Sequence, residues 1–177
     1  MLDAAKNRGN LKPYLRNTNV QWWRFELDDI KEMRLAEDEL AEFRLMNGDL
    51  LICEGGEPGR CAIWRSDVDE MYFQKALHRA RPLGGCISEY LQIVLRQDAV
   101  SGALSTYFTG ATIKHFPGDK LNSYAIPLPP VAEQRRIVAK VDQLMALCNN
   151  LKADVATASQ HQATLADTLI ESALEAA

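Results

Sequence analysis

An α+β domain followed by one long α-helix that pairs in a coiled coil is the fold class this sequence predicts. Three observations predict it. Short apolar runs punctuated by Gly and Pro fill the stretch before residue 128. Three prolines then occupy four positions, in "PLPP" at 127–130. Beyond them no Gly or Pro interrupts residues 131–177. A length of 177 residues, 47% apolar and 25% charged, suits one domain with an appendage. We therefore expect a domain over 1–128 and a helix over 129–177.

In the first part, "GDLLICEGGEPGRCAIW" reads as a strand at Leu50–Cys53, a Gly/Pro loop at Gly55–Gly59 and a second strand at Cys61–Trp64. Gly55, Gly56 and Gly59 are expected to set the geometry of that loop, because glycine permits positive φ. "MYFQKALHRARP" reads as a strand carrying Lys75, Arg79 and Arg81 on one face, and nearly as well as a helix. Ser88 suits the N-cap of a helix with Tyr90, Leu91, Val94 and Leu95 on one side. "DAVSGALSTYF" predicts a second short helix, and "FTGATIKHF" a turn and strand.

After the prolines, apolar or small residues recur at alternating steps of four and three: Ile137, Val141, Leu144, Cys148, Leu151 and Val155, then Ala158, Gln162, Leu165, Leu169 and Ser172. That is a heptad seam. A helix over 131–177 would be roughly 65–70 Å long at 1.5 Å per residue. A helix of that length needs burial against a partner to be stable in water. Its start is also marked, since Pro130 suits the first turn and Glu133 the positive end of the helix dipole.

Composition and motifs exclude several classes. No run of eighteen apolar residues and no basic-then-apolar leader occurs, so a cytoplasmic protein without a membrane span is expected. Cys53, Cys61, Cys86 and Cys148 form no C-x-x-C pair, which suits neither a disulfide framework nor zinc. "EGGEPGR" lacks the Gly-Lys-Ser/Thr of a phosphate-binding P-loop. His78, His115 and His161 lack zincin spacing, and no G-x-S-x-G elbow is present. No catalytic site, cofactor site or metal site is expected.

Net charge is −4, from twenty basic and twenty-four acidic residues. The acidic excess lies in 26–42, with eight carboxylates against Lys31 and Arg34, and reads as a solvated face. Across 44–128 the signs balance at nine each. Any grip on nucleic acid must therefore come from local clustering. The candidates are Arg16, Arg60, Lys75, Arg79, Arg81, Lys114 and His115, because arginine can bridge guanine O6 and N7 while lysine holds phosphate.

"GDLLICEGGEPGRCAIW", "FQKALHRARP", "FTGATIKH" and above all "IPLPPVAEQRRIVAKVDQLMALC" resemble the specificity subunits of bacterial type I restriction-modification systems. The likeness runs from about Tyr14 to Leu151. It implies a target recognition domain that reads one half of a split site in double-stranded DNA, joined to a long conserved helix. Complete subunits carry two such domains and two such helices, packed antiparallel as a spacer. The resemblance also implies methyltransferase subunits that bring S-adenosylmethionine and the active site, and a restriction subunit that brings ATP- and Mg-dependent translocation. The specificity subunit itself catalyses nothing. Lys114, in the "GATIKH" block, is the expected phosphate or other DNA contact.

This chain has one domain and one helix, and it opens at "MLDAAKNRGNLKPYLRNTNV" without the family's usual early Trp and Gly-Thr-Pro-like element. A half-sized subunit, truncated product or fragment is the expectation. The exposed seam predicts a homodimer through Ile137, Val141, Leu144, Cys148, Leu151 and Val155. The alternative is a coiled-coil interaction module, or an inactive remnant, that reads no DNA.

Overall fold

The structure is a computed structural model that describes residues 9–66, 68 and 70–175. The chain divides after Gln134 into two compact units. In the first, β1 (Asn10–Leu15) is flanked by β4 (Lys31–Leu35), antiparallel, and by the short β7 (Tyr72–Phe73), parallel. A second sheet has β5 (Leu50–Cys53) between β6 (Cys61–Ile63) and β8 (Leu77–Ala80), both antiparallel to it. A hairpin of β2 (Val20–Gln21) and β3 (Arg24–Phe25) forms a third, two-stranded piece.

The unbroken apolar run Leu50–Cys53 follows from burial on both faces of β5. Leu51 and Cys53 turn toward Leu15, Tyr72, Phe73 and Leu77, filling the space between the two larger sheets. Leu50 and Ile52 turn the other way, onto Leu95, Leu104 and Phe116. Leu95 belongs to α2 (Ser88–Ser101), whose C-cap Gly102 has φ 83°, and Leu104 to the 3-10 helix Ala103–Tyr107. A short α1 (Glu37–Phe43) follows β4. Its first turn is Glu37, Asp38 and Glu39, so part of the acidic run sits where the helix dipole favours negative charge.

Several expectations change in detail. The 71–82 segment is two short strands parted by a turn at 74–76, so Lys75 stands in the turn and Arg81 lies past the end of β8. Ser88 is the first helical residue, not the cap, a position held by Ile87; the Ser88 hydroxyl donates instead to Gly48 O at 2.7 Å. The first part of "DAVSGALSTYF" extends α2, and the rest is the 3-10 helix.

A short α3 (Gly118–Asn122) leads to the prolines. The Tyr90 hydroxyl donates to Pro127 O at 2.9 Å. Gln134 is fully buried: its Oε1 accepts from Ile87 N at 3.0 Å, while Nε2 donates to Gly85 O at 2.6 Å and Pro129 O at 2.8 Å. The proline segment is thus tied down at both ends by side chains. The long helix, α4, covers Val131–Glu175. Along it Leu144, Leu151 and Val155 are half-exposed or more, and Cys148 is exposed.

Candidate nucleic-acid interface

Four connections meet at one end of the two larger sheets: Arg16–Asn19 after β1, the glycine loop 54–60 between β5 and β6, the turn 74–76 between β7 and β8, and the loop 109–115 after the 3-10 helix. Backbone bonds join them in series. Gln74 N donates to Leu15 O at 3.2 Å, Glu54 N to Ala76 O at 3.1 Å and Phe116 N to Glu54 O at 2.7 Å. Side chains add to this, with Asn17 Nδ2 donating to Gly55 O at 3.2 Å and Arg60 Nη2 to Asn17 O at 3.0 Å.

The glycine loop needs its glycines. Gly59 has φ 87°, and a Cβ there would stand 2.3 Å from Leu104 Cδ2. Gly56 has φ 75°, and a Cβ at Gly55 would come within 3.3 Å of His115 Nδ1. The loop 109–115 is closed by reciprocal bonds between Thr109 and His115, at 2.8 and 2.9 Å. Lys114 Nζ folds across it to Gly110 O at 2.8 Å. Beneath it Phe116 is fully buried, and its carbonyl meets His78 Nε2 at 2.7 Å.

Five of the seven candidates gather at this end: Arg16, Arg60, Lys75, Lys114 and His115. Two are engaged by carboxylates. Arg16 pairs with Asp29 at 2.7 Å, and Asp29 is held below the usual carboxylate range by hydrogen bonds from Lys31 and Arg16. Arg60 pairs with Glu57 at 3.2 Å. Lys75 and Lys114 are exposed and have no carboxylate partner among the described residues; Lys75 Nζ lies 5.6 Å from the Phe43 ring centre. Arg79 sits along the edge strand β8, donating to Arg44 O at 2.9 Å and stacking over Phe73 at 5.4 Å.

Arg81 stands at the opposite end of the second sheet. Its Nε and Nη2 grip the two carboxylate oxygens of Asp49 at 2.6 and 2.8 Å. Asp49 is 1% exposed and also accepts from Met46 N, so the pair is built into the sheet end.

Among the described residues, the buried side-chain atoms without a hydrogen-bond partner are Arg16 Nε, Asn17 Oδ1 and Arg60 Nε. All three lie at the loop end, which concentrates unspent hydrogen-bonding capacity there. Burial pushes the neighbouring Cys53 thiol up to about 11, with Arg60 opposing, so it is not a thiolate nucleophile near neutral pH. No group of three His, Cys, Asp or Glu that could hold a metal occurs among the described residues, and no described helix is long and apolar enough to cross a membrane.

One contributor to this end is missing from the candidates above. The β2–β3 turn is Trp22–Trp23, and it is bound to the glycine loop by Trp22 Nε1 donating to Glu57 Oε1 at 2.6 Å and to β6 by Trp23 N donating to Cys61 O at 3.3 Å. Arg96 of α2 stacks on Trp22 at 4.7 Å. Trp23 has φ 72°, the sole positive φ of a non-glycine residue among those described, and is 40% exposed. A left-handed backbone on a bulky residue costs about 1–2 kcal/mol. Turn-forming Gly or Asn would have signalled this hairpin; a Trp-Trp pair does not.

Residues 3–157 match the family described as "Type I restriction modification DNA specificity domain". The chain is 26% identical to the specificity subunit of the type I restriction enzyme EcoKI of Escherichia coli K12, over 91% of this chain and 36% of that protein. It is 22% identical to the EcoEI specificity subunit of Escherichia coli, over 90% of this chain and 28% of that one. The HsdS subunit of Thermoanaerobacter tengcongensis superposes with a TM-score of 0.61 at 23% identity, over 84% of this chain and 39% of that one. A chain from a type I R-M system, solved to explain complex assembly and conformational transition, superposes at 0.62 and 23% identity, over 81% and 33%. The chain thus spans about a third of the length of these relatives.

Proposed function

This chain belongs to the type I restriction modification DNA specificity family, and on that premise we propose that its domain reads one short segment of duplex DNA and catalyses nothing itself. The observation that carries the reading is the family match, which spans the domain and runs well into α4. The loop end supports it physically. Loops held on a pair of sheets can enter a groove, and Lys75 and Lys114, exposed and without a carboxylate partner among the described residues, can meet phosphates. Arg16, Arg60 and His115 lie beside them as further contacts, whereas Arg81 serves the fold through Asp49.

The chemistry then belongs to partners in the bacterial cytoplasm. Methyltransferase subunits supply S-adenosylmethionine, a restriction subunit supplies ATP- and Mg-dependent translocation and the nuclease, and this chain directs both to a split sequence. The heptad seam of α4 from Ile137 through Val155, partly buried at Ile137 and Val141 and exposed from Leu144 onward, pairs with a second copy, so that two identical readers are presented.

Selection from a random duplex library, at near-physiological salt and with the methyltransferase subunit present, tests the reading. Enrichment of two inverted identical half-sites is the expected result. A complex that assembles and enriches no sequence would remove the reading function.

A further inference from the structure

The hairpin turn at Trp22–Trp23 breaks a local rule without taking Trp23 into either buried cluster. The second residue of such a turn, when its φ is positive, is normally Gly or Asn. Here it is the bulkiest side chain, at φ 72°. Trp22 packs against the cluster of Leu50, Ile52, Leu95 and Leu104, whereas Trp23 belongs to neither buried cluster and remains 40% exposed. Sites where sequence contradicts local preference, with nothing repaid in the core, are where function is expected.

The support beneath the ring is rigid. Trp22 is clamped between Arg96 and Glu57, and Glu57 is also paired with Arg60. Trp23 N is held by Cys61 O, a carbonyl that also accepts from Gln92 Nε2 at 3.1 Å. The exposed ring is therefore presented by the glycine loop and β6, at the end where Lys75 and Lys114 lie.

Resting on the DNA-reading function above, we propose that Trp23 is a specificity-determining residue: its ring makes apolar contact with base edges, while the lysines hold the backbone. An uncharged ring releases no counterions, so its contribution separates cleanly from phosphate binding. Its removal changes preference at one or two adjacent base positions.

The test compares the 177-residue chain with W23N and W23F in the same duplex selection, salt titration and thermal melt. Asn tolerates the left-handed backbone, so W23N should melt close to wild type while losing about tenfold discrimination at one or two adjacent positions, with an unchanged salt slope. W23F should retain the preference in part. An unchanged motif in W23N would overturn the proposal, as would a fall in melting temperature of about 10 °C or more, which would make Trp23 a packing residue. If wild type enriches no motif, DNA reading itself fails, and that result is seen before any variant is compared.

Discussion

Two cations show how differently like residues are used. Lys114 and Arg81 are both basic, yet among the described residues Lys114 bonds a loop carbonyl while Arg81 grips a buried carboxylate with two bonds. Their substitutions should diverge. Lys114→Ala is expected to weaken binding to all DNA sequences and to lower the salt slope by about 1, read by titrating affinity against salt. Arg81→Ala leaves Asp49 buried with only Met46 N, so a loss of about 1–3 kcal/mol in unfolding free energy is expected in denaturant melts, with the salt slope unchanged. Nothing local distinguishes these residues, because Asp49 is 32 positions from Arg81 in sequence.

Among the elements, those whose pattern reflects a single environment were legible. β5 was an unbroken apolar run because both its faces are buried, and α4 showed its heptads over many turns. The residues of β1 to β4 gave no such signal: these strands are short or half-exposed, and β1 contains Pro13. Gln134 was invisible for another reason. A glutamine in a charged first turn reads as solvated, yet here it is fully buried and satisfies Ile87 N, Gly85 O and Pro129 O. Gln134→Ala would strand those backbone groups and is expected to cost about 1–3 kcal/mol, measurable as a lower denaturation midpoint for the domain.

For the whole molecule, the seam of α4 sets the expected assembly. Leu144 and Leu151 are 50% and 54% exposed in the single chain, the exposure a coiled-coil partner would remove. Wild type should sediment as a dimer at tens of micromolar, and the double substitution Leu144→Lys with Leu151→Lys as a monomer whose domain melts normally. A wild-type monomer would remove the dimer and leave the single reader. By itself the sequence determined the order of a mixed domain, a proline junction and a long heptad helix, and the family likeness, since these rest on patterns among near neighbours in the chain. Only the tertiary structure decided which cations share one end, which of them are neutralised, and that Trp23 is held exposed in a left-handed turn. Ion pairing and burial depend on residues brought together from distant positions, and periodicity carries no record of those meetings.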